Sequence, residues 1–75
     1  MARLPSVTGV ELIKVLVKIG FKKIRQDGSH VFLRHPDGRT TVVPVHPGEK
    51  MDRGLLNKIM KKDIGLTREE FLKIL

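Results

Sequence analysis

Apolar residues in the N-terminal third of the chain recur with the period of an α-helix. The few polar side chains of this stretch share one narrow stripe, formed by Glu11, Lys14 and Lys18. Thr8 and Glu11 have the spacing of a capping box. Gly20 can adopt the left-handed backbone conformation that commonly ends a helix. After a loose lead over residues 1–6, we therefore predict a first helix that is buried over much of its circumference. A partner protein could cover the remainder.

Two turn signals divide the middle of the chain into three short stretches that predict β-strands. Asp27-Gly28 is typical of a tight hairpin, and Pro36-Asp37-Gly38 of a turn in which proline presets φ and glycine takes positive φ. The predicted strands cover residues 21–26, 29–35 and 39–45. Consecutive strands joined by such turns form an antiparallel meander.

The side-chain pattern also predicts how the strands are placed in the sheet. Basic residues in the first strand and Pro44 in the third are typical of sheet edges. Alternation puts Thr41, Val43 and Val45 on one face of the third strand. The second strand has apolar residues at both parities, and we expect Phe32 to face the helices.

Two further helices are predicted after the strands. Asp52 can cap the first of them, whose apolar face comprises Leu55, Leu56, Ile59 and Met60. Thr67 and Glu70 form a second capping box, which begins a short C-terminal helix. The predicted fold is α+β, in the order α-β-β-β-α with a short final helix. Residues 1–75 are expected to form a single domain with the helices packed on one face of the sheet.

The charge of the chain narrows the classes of partner. Fifteen lysines and arginines against eight acids give a net charge of +7 and an isoelectric point near 10.3. Such a field favours a polyanion, most often RNA or DNA, although a merely lysine-rich solvated surface is the alternative. The chain has no cysteine, signal peptide or membrane-spanning run, so we expect a cytoplasmic protein without a membrane partner.

His30 is the candidate catalytic residue. It follows the Gly28-Ser29 turn, where a glycine lets the backbone approach a phosphate. Imidazoles titrate near neutral pH, which suits proton transfer. On these residues alone, an ordinary surface histidine is the commoner outcome. His35 and His46 suit a turn or a phosphate better than a metal, because their spacing is weak for metal ligation, and no metal or other cofactor is expected.

Basic residues also mark a candidate phosphate surface on the second helix. Lys50 and Arg53 lie at its start, and Lys58 and Lys61 lie on its exposed side. An ordinary solvated helix face explains the same pattern equally well. Three phenylalanines without tryptophan or tyrosine argue against base stacking and favour recognition of backbone and groove shape.

The motifs together resemble the HicA-type toxins, the YcfA-like group of mRNA interferases. The resemblance covers residues 8–75, and its motifs are Gly28-Ser29-His30, residues 34–39 and residues 43–48, followed by a glycine-containing helix. It implies a double-stranded-RNA-binding-like fold and a metal-independent endoribonuclease that a HicB-type antitoxin holds inactive. It also implies that His30 is the catalytic histidine.

The implied chemistry is cleavage of RNA by its own 2′-hydroxyl. His30 would move the proton, and Lys23, Arg25 or Arg34 would stabilise the phosphorane. No second acid or base is identifiable in the sequence. A non-catalytic double-stranded-RNA-binding module and an interaction protein whose basic face meets an acidic partner stay open as alternatives, as does a weak homo-oligomer.

Overall fold

The computed structural model describes residues 5–75, so most of the lead expected over residues 1–6 lies outside the described part. The elements follow the predicted order α-β-β-β-α with a final short helix. They are α1 (Gly9–Lys18), β1 (Lys22–Asp27), β2 (His30–Arg34), β3 (Thr40–Pro44), α2 (Arg53–Lys58), a π-helical segment (Ile59–Ile64) and α3 (Arg68–Ile74). The strands form an antiparallel sheet in the order β1-β2-β3, which confirms the predicted α+β fold.

Both predicted capping boxes are present. The Thr8 N–H donates to Glu11 Oε1 (2.8 Å), and the Glu11 N–H donates to Thr8 Oγ1 (3.2 Å). The second box lies at the start of α3, where the Thr67 N–H donates to Glu70 Oε1 at 2.9 Å. The bonds satisfy backbone donors that lack a partner at a helix start.

The capping boxes predict a loss of stability in acid. Hydrogen bonds from the Thr8 and Thr67 backbones lower the pKa of Glu11 and Glu70 from the ordinary 4.5. The contribution of these two carboxylates to the free energy of unfolding is therefore complete above pH 4.5. It is lost as the pH falls through the lowered pKa values. In urea titrations between pH 7 and pH 3, Glu11→Gln with Glu70→Gln should weaken the pH dependence of the unfolding free energy. Glu69→Gln, outside the box, should leave it unchanged.

The register of β2 differs from the prediction for Phe32. Val31 and Leu33 are buried and face the helices, while Phe32 lies on the opposite, open face, so the expectation that it faces the helices was wrong. There the Arg25 guanidinium lies 4.3 Å from the centre of its ring. A cation–π contact stabilises an aromatic ring outside the core, and two aliphatic side chains fill the inner positions instead. On β3 the predicted alternation holds, since Thr41 and Val43 are buried.

The second helix changes its winding before it ends. α2 continues as the π-helical segment, which stops at Gly65 with a φ of +70°. The Thr41 hydroxyl, on the inner face of β3, donates to Asp63 Oδ2 at 2.9 Å, and the Arg39 guanidinium donates to the Ile64 carbonyl. These bonds attach the end of the helix to β3 and satisfy polar groups at the edge of the core.

His35 joins α1 to the turn between β2 and β3. Its Nε2–H donates to the Ile19 carbonyl at 3.1 Å, and its Nδ1 accepts the Asp37 N–H at 3.1 Å. The ring meets Phe21 edge-on, with centroids 5.2 Å apart. A Cβ on Gly20 would lie 2.8 Å from His35 Nε2, so only glycine fits there. His35 therefore satisfies a turn, one of the two roles that the sequence left open.

Candidate active site

His30 is the first residue of the central strand. It pairs with Asp27 of β1 and Pro44 of β3, and its exposed side chain lies on the open face of the sheet with Phe32 and Arg34. No side chain or backbone group of residues 5–75 hydrogen-bonds to its imidazole. Both ring nitrogens are therefore available to a bound ligand.

The turn before His30 is held from two sides and open on its outer surface. The Gln26 side-chain amide donates to the Gly28 carbonyl at 3.1 Å, and the Ser29 carbonyl accepts the Val45 N–H at 2.7 Å. Gly28 has a φ of +60°, and nothing lies within 4 Å of the place that a Cβ would take. The glycine is needed for its backbone angle and leaves space for a ligand beside His30.

The start of α1 supports the strand position opposite His30. A Cβ on Gly9 would lie 2.3 Å from the Pro44 carbonyl oxygen, so the helix backbone packs directly on the end of β3. Pro44 pairs with His30 across the sheet. The position of His30 thus depends on the close packing of α1 against the sheet.

The three bases predicted to stabilise a phosphorane lie at different distances from His30. Arg25 is on the open face, beside Phe32 and one side-chain row away from His30. Arg34 shares that face but is four residues along the strand, about 13 Å away. Lys23 pairs with the inward-facing Leu33, and its ammonium donates to Gln26 Oε1 at 3.1 Å. Arg25 is the best placed of the three.

The bases at the start of α2 are at the same end of the molecule as His30. Residues 7 and 8 pair with residues 50 and 51, next to the point where Val45 joins the turn. Lys50 Nζ lies 3.8 Å from Glu11 Oε1, and Arg53 Nη2 donates to Ser6 Oγ at 3.2 Å. Both bases therefore contact the start of α1 and can supply positive charge to a chain that extends past His30.

The remaining two bases of the predicted set are separated by the helix. Lys58 lines a groove along β3, with Val42 and Leu55. Lys61 lines a different cavity, between the π-helical segment and α3, with Met60. The two lysines line different cavities and therefore do not converge on one phosphate.

Asp27 is the functional candidate that sequence reasoning missed. It is the direct cross-strand neighbour of His30, and paired side chains in a sheet have Cβ atoms about 4.5–5.5 Å apart. The two-residue hairpin loop, with Asp27 three positions before His30, was the signal. Within residues 5–75, no three histidine, cysteine or acidic side chains are placed together as metal ligands.

No helix in residues 5–75 is long and apolar enough to cross a bilayer.

Comparison with known proteins identifies the family of this chain. A search of curated proteins finds no match. The family described as "HicA toxin of bacterial toxin-antitoxin" matches residues 9–66, from the start of α1 to just beyond the π-helical segment. The match covers the sheet, His30 and both helices that support them, and the chain therefore belongs to the HicA toxin family of bacterial toxin–antitoxin systems.

Proposed function

We propose that this toxin is a metal-independent endoribonuclease that cleaves mRNA in the cytoplasm, with His30 as the catalytic residue. The observation that carries the proposal is the exposed, unpartnered imidazole beside an open glycine turn on a basic sheet face. Family membership supports the role of toxin. A HicB-type antitoxin is the proposed inhibitor.

The proposed reaction is transfer of the RNA phosphate to its own 2′-oxygen. The 2′-hydroxyl attacks the adjacent phosphorus and the bond to the 5′-oxygen breaks, which leaves a 2′,3′-cyclic phosphate and a 5′-hydroxyl. His30 takes the proton of the attacking hydroxyl or gives one to the leaving oxygen. The Arg25 guanidinium, on the same face, stabilises the charge on the phosphorane.

Asp27 and Ser29 have supporting roles in the proposal. The Asp27 carboxylate, on the cross-strand neighbour of His30, orients the imidazole when RNA is bound. The Ser29 carbonyl keeps the turn on β3 through the Val45 N–H. Lys50 and Arg53 contact the RNA backbone beyond the scissile phosphate.

The test is cleavage of a single-stranded RNA and of the same strand with one 2′-deoxynucleotide at the cut site. We expect the RNA to give a 2′,3′-cyclic phosphate end, with and without EDTA, and the deoxy position to be inert. Tight, shape-selective binding of duplex RNA without product would instead support the non-catalytic binding module. Absence of affinity for RNA at low salt would support the interaction protein.

A further inference from the structure

The outer edge of β3 has free backbone hydrogen-bonding groups. The Val45 N–H donates to the Ser29 carbonyl, and the Arg39 carbonyl accepts the His35 N–H, so odd-numbered residues of this strand bond to β2. Thr40 and Val42 therefore direct their N–H and C=O groups away from the sheet. No backbone group elsewhere in residues 5–75 bonds to them. Pro44, which has no N–H, occupies the next outward position.

The face beside this edge is apolar at its centre. Val42 is 36% exposed and Ile24 is 57% exposed, and both line the groove together with the half-buried Phe32, the cross-strand neighbour of Val42. Val42 and Ile24 are aliphatic and do not stack with bases as aromatic platforms do, and the Arg25 guanidinium covers the Phe32 ring. They are typical of a surface that another protein covers.

A groove runs along the same edge. It has a volume of about 470 Å³ and lies between Thr40 and Val42 of β3 and Leu55 and Lys58 of α2. Arg34, the cross-strand neighbour of Thr40, adds a second positive charge on the face beside the groove. Neither Arg34 nor Lys58 has an acidic partner among residues 5–75. Asp63 also lines the groove, so it balances Lys58 there, and Arg34 on the adjoining face supplies the excess positive charge. The groove thus combines a free strand edge and apolar walls with positive charge beside it.

We propose that the antitoxin binds here by adding an extended, acidic segment to β3 as a fourth strand. The segment hydrogen-bonds to the Thr40 and Val42 backbones, packs an apolar side chain between Val42 and Leu55, and presents carboxylates to Arg34 and Lys58. Strand addition gives affinity through the backbone and specificity through alternate side chains. From this edge the antitoxin covers the open face that carries His30. The inference rests on the proposed function in taking the partner to be an inhibitor of His30.

Residue-specific amide exchange, measured by NMR on the complex with a HicB-type antitoxin, tests the pairing. The Thr40 and Val42 amides should exchange rapidly in the free chain and at least about 100-fold more slowly in the complex. The Thr41 and Val43 amides, already bonded to β2, serve as internal controls and should be slow in both states. Unchanged exchange at Thr40 and Val42, or protection by RNA instead of antitoxin, would overturn the proposal.

A matched pair of substitutions tests the apolar contact. Val42→Thr keeps the shape and β-branching of the side chain but places a hydroxyl in the interface, and should weaken antitoxin binding about tenfold. Val17→Thr makes the same change at a 54% exposed position on α1, and should stay within about twofold. Equal effects at the two positions would contradict docking on β3. Both measurements report antitoxin binding in the absence of RNA. Their outcome therefore does not depend on whether the chain cleaves RNA.

Discussion

Replacing His30 by alanine is expected to lower the rate of RNA cleavage by about 10²–10⁴-fold, the usual contribution of a general acid or base. RNA affinity and the free energy of unfolding should stay close to those of the wild type. The reason is that the imidazole is exposed and has no hydrogen-bond partner within the described residues. The measurements are single-turnover cleavage, RNA binding and urea unfolding of the same preparation.

His46→Ala is the matched control for this loss. His46 is also exposed and lies in the turn after β3, at the same end of the molecule. We expect it to cleave RNA at a rate within about threefold of the wild type. If His46→Ala loses as much activity as His30→Ala while both retain RNA binding, the proton transfer cannot be assigned to His30 alone. If His30→Ala cleaves normally, the catalytic proposal fails.

Replacing Phe21 by alanine is expected to cost about 3–5 kcal/mol of unfolding free energy, as for other large aromatic side chains removed from a core. Phe21 is 1% exposed, meets His35 edge-on and has the Arg39 guanidinium 5.3 Å from its ring centre. The substitution leaves a cavity where α1, the sheet and the turn after β2 meet. Since small domains have only about 5–15 kcal/mol in total, much of the chain should unfold at 37 °C.

Phe32→Ala is the control, because it removes the same ring from the open face of the sheet. That ring packs under Arg25 and lies outside the core, so the expected cost is about 1 kcal/mol. Urea unfolding monitored by far-ultraviolet circular dichroism gives both values. Similar costs for the two variants would contradict the observed register of β2, in which Val31 and Leu33 face the helices.

Local signals in the sequence predicted most of the elements. The Thr8–Glu11 and Thr67–Glu70 boxes act within one helical turn, and the predicted boxes are present in the structure. The register of β2 was not accessible in this way, because Val31, Phe32 and Leu33 are all apolar and either parity is plausible. The contact between Arg25 and Phe32 distinguishes the two faces, and it joins different strands.

The site shows the same division. His30 was selected from its turn and from the resemblance to a family, and its catalytic role stays a prediction. The basic residues around it were chosen from neighbouring sequence alone. Chain packing then separates them, since Lys23 pairs with inward-facing Leu33 and Lys61 lines a cavity beside α3. It also places Asp27 opposite His30, which the sequence analysis did not consider.

The sequence by itself determined the order of the elements, their caps and turns, and the position of His30 directly after a glycine turn. Those features depend on interactions between residues a few positions apart, which a linear pattern records. The tertiary structure decided which face of the sheet is open, which cations share that face with His30, and that the edge of β3 is free. These depend on register and helix packing, where residues far apart in the chain meet and many apolar patterns fit equally well.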